Sequence, residues 1–510
     1  MLTMPLADTL TTRTARAAQW RLFGTGVGAV LQFFVGVLLA RFLTPEDFGV
    51  ATLAYVVLGL AQPLGDLGLS NAVVQRANLT DRHIRTAYTA ATVWGVVVAA
   101  AMMAAAPLGA ELTHTPEVSV VIRVLSIGFA FRGAAVVAEA LLRRRLDFRR
   151  QVLIEVFSYV FGYGGVAVAL ALYGQGLWSL VWGGLAQTLI ASIAQLTMVR
   201  HPSRPLLGGR ELRELLRFGF GSAASSCVNY VALNGDYFIV GRTMGAPSLG
   251  LYSRAYGLMN LAHAYGSKVV SSVMFPAITH VQGDRARVRA GFLMVTRLTA
   301  MIAAPAMATM AIVAPYFVPA LYGPRWTGAV VPVQILSIAG YFRALYHLGG
   351  VLAQGVGRVY GELWRQVTYA TAIVGSALVG SWFGLPGVAV GVSAAILYMF
   401  IVTGHLALNA TETSWRQYLG VQQDALLTAA VTSGVALSVR RLLEVNQASS
   451  SSITLAILSA AAIPWSVGVV WTLGSPDLDA LRASLPQWCD RLVVTLRPRQ
   501  SGSRAIAGNE

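Results

Sequence analysis

Residues 41–55 read RFLTPEDFGVATLAY, and residues 242–256 read RTMGAPSLGLYSRAY. Set 201 positions apart, the two stretches share Arg41 with Arg242, Gly49 with Gly250, and Ala54-Tyr55 with Ala255-Tyr256. Leu60-Ala61 returns as Leu261-Ala262 at the same offset. Outward from there, Leu125-Ser126-Ile127 and Phe131-Arg132 match Leu336-Ser337-Ile338 and Phe342-Arg343 at an offset of 211, and Arg150-Gln151-Val152 echoes Arg365-Gln366-Val367. The matches keep their order, so the chain contains two copies of one unit.

The solvent of that unit follows from composition. Of 510 residues 55% are apolar and 12% are charged, against about 25% charged in soluble proteins. The apolar residues fall in blocks close to the roughly 20 that a helix needs to cross a hydrocarbon core. Six blocks start at Leu22–Ala40, Phe48–Val74 (interrupted by Pro63 and Gly65), Thr86–Ala106, Val118–Leu141, Val152–Leu172 and Leu177–Val199. Six more are Phe218–Val240, Leu249–Val273, Phe292–Tyr316, Val330–Leu352, Val367–Phe383 and Gly387–Leu408, and a last pair lies near Ala425–Val439 and Ile453–Leu473. An even number of spans per copy gives both copies the same orientation, related by an axis along the membrane normal. The expected fold is therefore an all-α polytopic membrane protein of about 14 transmembrane helices, two parallel six-helix lobes around a cavity plus a C-terminal pair. The expected divisions are 1–20 (N-terminus), 21–200 (first lobe), 201–217 (linker), 218–410 (second lobe), 411–474 (final pair) and 475–510 (tail). Such lobes can rock to expose a central cavity to one side and then the other.

The net charge of +16 is almost all arginine, in short loops rather than on one basic face. Nucleic acid is thus not an expected partner. Arg76, Arg82 and Arg85, then Arg143 to Arg145 with Arg149 and Arg150, then Arg200 to Arg217, recur on alternate loops. This positive-inside pattern puts both termini in the cytoplasm, with only Arg440 and Arg441 dissenting. Met1 to Arg21 precedes an apolar block too long for a signal-peptide core and reads as the approach to an uncleaved helix. Cys227 and Cys489 lack disulfide or metal spacing. Gly24-x-Gly26-x-Gly28 neither follows a strand nor opens a soluble α/β unit, and no P-loop is present, so no cofactor or ATP coupling is expected.

Leu39 to Arg76 (LARFLTPEDFGVATLAYVVLGLAQPLGDLGLSNAVVQR) and Asn229 to Val281 (NYVALNGDYFIVGRTMGAPSLGLYSRAYGLMNLAHAYGSKVVSSVMFPAITHV) resemble the polysaccharide transporter family of the multidrug/oligosaccharidyl-lipid/polysaccharide exporter superfamily. Through ARFL-x-PEDFG, D-x-GL, DYF-x-x-G, LG-x-YSRAY and FPA they look most like its colanic-acid and teichuronic-acid exporter branch. The resemblance covers roughly Trp20 to Leu408. It implies a MATE-like fold in a bacterial inner membrane and flipping of an undecaprenyl-diphosphate-linked oligosaccharide, an O-antigen, capsule or exopolysaccharide unit. Membrane lipids, a polysaccharide polymerase and glycosyltransferases are the implied partners. Two alternatives stand beside it: an ion-coupled small-molecule antiporter of the same superfamily, which needs an acidic cavity, and a membrane enzyme of glycan assembly, which needs a long outer loop. The longest outer loops, Pro107–Glu117 and Phe317–Ala329, are about a dozen residues, and no enzymatic activity is expected.

Ionisable residues at membrane depth are costly and are functional candidates by default. Arg132 and Arg343, at equivalent positions, can meet a diphosphate from opposite lobes as bidentate donors; an internal brace from Arg132 to Glu139 is the structural alternative. Lys268, the sole lysine, maps by the 201 offset next to Asp66. The pair reads as an inter-lobe gate, Lys268 as a phosphate ligand, or each as an intralobe pair. Asp236 is a candidate for ion coupling or for a packing bond to Arg242 or Arg254, and His347 for titration near neutral pH or a plain polar contact. Arg41 and Arg242 close their spans at the outer face, where snorkelling to headgroups is the ordinary expectation.

Overall fold

A computed structural model describes residues 6–473 apart from positions 66, 77, 200, 203, 281–284, 356–358 and 448. Over 6–19, 217–225, 261–280, 353–355, 359–363 and a few scattered positions it describes the backbone without the side chains. In chain order the helices are α1 (Leu6–Phe42), α2 (Pro45–Gly65), α3 (Leu69–Gln75), α4 (Asp81–Thr113), α5 (Glu117–Arg144), α6 (Phe148–Phe157), α7 (Ala167–Leu172) and α8 (Leu177–Met198). There follow α9 (Gly209–His280), α10 (Arg285–Tyr322), α11 (Val330–Gly355), α12 (Val359–Ser381), α13 (Gly384–Thr411), α14 (Trp415–Gly420), α15 (Gln423–Val445) and α16 (Ser450–Leu473). No strand occurs among the described residues. This is the all-helical membrane architecture expected: ten helices among the described residues are long and apolar enough to span a bilayer, and the other four sequence candidates fall on α2, the two arms of α9, and α12.

Local chemistry sets the boundaries. Thr44-Pro45-Glu46-Asp47 starts α2: Thr44 N–H donates to Asp47 Oδ2 at 2.8 Å, Asp47 N–H donates to Thr44 Oγ1 at 3.2 Å, and Pro45 sits where its missing N–H costs nothing. The interruption foreseen at Pro63 and Gly65 is a true break, because α2 ends at Gly65 and α3 begins only after Leu67 (φ 50) and Gly68 (φ 67). Gly245 (φ 79, ψ 171) bends α9 into two arms, a backbone state that only glycine adopts without strain. Unforeseen is a π-helical stretch, Ser158–Val166, joining α6 to α7. It widens the turn at Gly162, Gly164 and Gly165, beside the site described below.

Packing follows membrane rules, in which small residues let backbones approach because lipid supplies no hydrophobic drive between helices. In the α4–α5 hairpin, a β-carbon on Gly95 would lie 2.6 Å from the Phe129 carbonyl oxygen, and one on Gly133 2.6 Å from that of Ala91. One continuous core joins the two halves, with Leu39, Leu43, Phe48 and Leu53 packed with Leu249, Tyr252 and Trp326. These residues gather at the end of the bundle opposite the arginine-rich turns, so the halves pack against each other there.

Candidate functional site

A cavity of about 810 Å³ is lined, among the described residues, almost wholly by the first half and reaches Arg143 at the arginine-rich end of α5. Helical spacing builds its wall. On α5, Arg132, Val136, Glu139 and Arg143 recur at intervals of four, three and four, so they share one face, and all line the cavity. On α8, Gln187, Thr188, Ala191, Ser192 and Gln195 do the same. Gln62 of α2, Asn71 of α3 and Tyr163 of the π-helical stretch add to the wall, and among the described residues Ser226 of α9 is the one lining residue from the second half. Arg132 is exposed to this space, and among the described residues none hydrogen-bonds or ion-pairs with it. Glu139 is taken by Arg143, one turn along. The brace from Arg132 to Glu139 is therefore not made, because the i,i+4 partner is closer than the i,i+7 one.

The opposite end is shut by contacts that obey the sequence repeat. The Arg41 guanidinium donates from Nε to the Leu321 carbonyl (3.0 Å) and from a terminal nitrogen to that of Ala320 (2.6 Å), at the C-terminus of α10. Its counterpart 201 positions on, Arg242, donates to the Leu112 carbonyl, at the C-terminus of α4. Each arginine thus caps unpaired carbonyls at a helix terminus in the other half, where a cation is favoured. The glycines match as well. A β-carbon on Gly49 would run into the Ala246 carbonyl, and one on Gly250 into that of Pro45, again 201 apart. Trp326 Nε1 donates to the Ala40 carbonyl (2.9 Å), and its ring meets Phe48 edge-on at 5.4 Å. Snorkelling of Arg41 and Arg242 is accordingly overturned as a complete account: both side chains are exposed, yet their donors are spent on protein across the seal.

Arg343 stands elsewhere. It is buried in α11, with NH1 donating to Tyr256 Oη at 2.6 Å, while Tyr252 Oη donates to Asp236 Oδ2 at 2.7 Å. Tyr237 packs against both tyrosines, at 5.3 and 5.7 Å between ring centroids. Asp236 thus bonds to neither Arg242 nor Arg254 but joins Arg343 in one aromatic cluster, and His347 follows a turn later, half-buried. Neither Arg343 nor Asp236 nor His347 lines the cavity. Arg132 and Arg343 therefore do not face one ligand together, and equivalent positions explain why. Where the second half has Asp236 and Tyr252 the first has Val35 and Ala51, so nothing in the first half draws Arg132 into the core. Asp66 lies outside the described residues, as does the side chain of Lys268 on α9.

Sequence reasoning passed over three features. The α8 stripe was visible as polar residues at helical spacing in an apolar block. The reciprocal capping of α10 and α4 by the matched Arg41 and Arg242 carried no signal beyond their place in the repeat. Arg254, 4.1 Å from the Phe48 ring centroid and beside Gly36 of α1, replaces Leu53 of the first copy, a leucine-to-arginine change in a span. On the arginine-rich face, Glu214 accepts from Arg76 (2.6 Å), Arg210 (3.1 Å) and His83 (3.4 Å). Those donors hold its carboxyl below the usual range, Arg210 and His83 most strongly. Gly208 N–H donates to Thr86 Oγ1 at 3.2 Å, so the start of α9 is strapped to α4.

Comparison with known proteins adds the following. A family model described as polysaccharide biosynthesis protein matches residues 38–331. The lipopolysaccharide biosynthesis protein WzxC of Escherichia coli K12 is 24% identical over 414 residues, covering 80% of this chain and 83% of that protein. The teichuronic acid biosynthesis protein TuaB of Bacillus subtilis 168 is 24% identical over 458 residues, covering 83% and 94%. Among solved structures, the lipid II flippase MurJ in an inward closed conformation superposes with a TM-score of 0.73 at 12% identity, covering 88% of this chain and 98% of that one. An inward-facing multidrug-resistance MATE transporter superposes with a TM-score of 0.63 at 17% identity, covering 78% and 99%. The fold is that shared architecture.

Proposed function

The chain belongs to the polysaccharide biosynthesis protein family, whose model covers more than half of it, and from that membership and its cavity we infer that it flips a lipid-linked saccharide across the membrane by alternating access. The cavity is the observation that carries the reading. It is lined largely by polar side chains, the matched contacts of Arg41 and Arg242 seal the far end, and Arg132 stands in it with Glu139 already matched by Arg143. The charge balance among its described lining residues is then positive, which suits an anionic headgroup and disfavours the cationic cargo of a drug antiporter. An undecaprenyl diphosphate presents such an anion beside an apolar tail that stays in lipid. Arg132 is the residue we assign to the diphosphate, as a planar guanidinium that binds phosphate oxygens bidentately. The relatives named for lipopolysaccharide and teichuronic acid biosynthesis support a saccharide as the cargo.

In the same reading the membrane is the bacterial inner membrane, both termini are cytoplasmic, and the cavity faces the cytoplasm, where glycosyltransferases assemble the lipid-linked unit for a polymerase outside. Arg343, Asp236 and His347 are assigned to the second half's internal network rather than to cargo; Asp66 and Lys268 stay candidates for a gate. The test is flipping in proteoliposomes. Purified chain with lipid-linked saccharide from its host should move the saccharide to the far leaflet, and the Arg132→Gln variant should not. Equal rates for vesicles with and without the protein would overturn the assignment.

A further inference from the structure

Arg132, Glu139 and Arg143 place all the ionised groups among the described lining residues on α5, whereas the wall beside it, on α8, is neutral and rich in hydrogen-bonding groups. The two helices adjoin, since a β-carbon on Gly128 would sit 3.7 Å from Thr188 Cγ2. We propose that Gln187, Thr188, Ser192 and Gln195 of α8, with Gln62 of α2, form a subsite that reads the sugar hydroxyls of the cargo while α5 holds its charge. This rests on the lipid-linked saccharide reading and adds to it where selectivity resides.

The chemistry of the wall supports the division. A sugar hydroxyl both donates and accepts, and a carboxamide offers both functions in a fixed plane. Among the described residues, no hydrogen-bond partner holds the amides of Gln62, Gln187 or Gln195, so their donors and acceptors are left for cargo. Thr188 Oγ1 spends its proton on the Gly184 carbonyl at 3.0 Å and keeps its lone pairs for a donor. Ala191 keeps the floor between these groups low, the Tyr55 hydroxyl fills the space beside Gly184, and Phe129 and Tyr163 supply apolar ring faces. From Gln187 to Gln195 the stripe runs about 12 Å at 1.5 Å per residue, so it spans more than one sugar ring. A wall built to pair with hydroxyls discriminates strongly, because a cargo lacking one leaves a polar group unpaired.

Two probes test this on the full-length protein in detergent by native mass spectrometry: undecaprenyl diphosphate without sugar, and the lipid-linked saccharide pool extracted from the host's membranes. The wild-type chain should prefer the sugar-bearing lipid. Gln187→Ala/Gln195→Ala should lower that preference by roughly tenfold or more while binding bare undecaprenyl diphosphate within about twofold of wild type, which also reports an intact fold. The milder Gln187→Asn/Gln195→Asn variant should shift the preference in the same direction. An undiminished preference in both variants overturns the subsite. A wild-type chain that binds the two lipids equally overturns it while sparing the transport reading, and one that binds neither overturns the transport reading itself.

Discussion

Removing the reciprocal arginines should unlatch the shut end. In Arg41→Ala/Arg242→Ala, three hydrogen bonds across the halves are lost, two from Arg41 and one from Arg242. Both side chains are exposed, so each bond contributes about 0.5–1 kcal/mol rather than the larger figure for a buried charged pair. The sum of about 1.5–3 kcal/mol corresponds to roughly a ten- to hundredfold rise in the population open at that end, at about 1.4 kcal/mol per factor of ten. The assay is labelling by a membrane-impermeant maleimide applied from the arginine-poor side, with Gln187→Cys in a chain whose Cys227 and Cys489 are serines. If labelling follows transient opening, its rate should rise by the same factor, each single variant should give part of it, and the lysine pair should fall between. An unchanged rate in the double variant would refute the latch, since arginines that merely reach headgroups would leave the opening equilibrium where it was.

Other outcomes follow from the same geometry. Arg132→Gln should abolish flipping with the melting temperature unchanged, whereas Arg343→Leu, which leaves Asp236 buried without its cation, should cost about 3–5 kcal/mol and show as loss of folded protein in detergent; the opposite pattern would exchange their roles. Gly133→Val should spread the α4–α5 hairpin at a cost of about 1–3 kcal/mol, read as a lower melting temperature. For Glu214, a lowered folded-state pKa means that its strap is fully made above the usual glutamate range and is lost only as pH falls through the lowered value. Protease resistance at the start of α9 should therefore hold between about pH 8 and pH 5.5 and fail in Glu214→Gln at any pH. For a gate of Asp66 and Lys268, single charge reversals should slow flipping and the double exchange should restore it.

The spans and the repeat were legible because a bilayer makes each helix declare itself as an apolar block, and because duplicated turns such as Arg41–Tyr55 and Arg242–Tyr256 keep their spacing. The break after Gly65 was legible from Pro63 and its neighbouring glycines. The π-helical stretch was not, since Ser158-Tyr159-Val160-Phe161 carries no composition that separates one more residue per turn from ordinary helix. Site residues were half legible. Arg132 could be named from charge in an apolar block, but whether an arginine faces a cavity or a core depends on partners far away in sequence. For Arg343 those are Tyr256 and, through the cluster, Asp236, and one sequence does not reveal such pairings.

The positions that stay alike and those that diverge divide the work between the halves. Arg41 and Arg242, Gly49 and Gly250, and the backbone at Pro45 and Ala246 are matched at the shut end. A seal made of matched parts can part evenly about one axis. Val35 against Asp236, Ala51 against Tyr252 and Leu53 against Arg254 are mismatched, and none of the six lines the cavity. In the second half the extra acid and tyrosine absorb Arg343 into a packed network, whose dismantling is costly in a low dielectric. In the first half, without them, Arg132 stands exposed in the cavity beside the neutral wall of α8. A headgroup bound to that half alone can travel with it while the other half serves as the body against which it rocks, so a symmetric hinge and an asymmetric cavity are compatible in one duplicated chain.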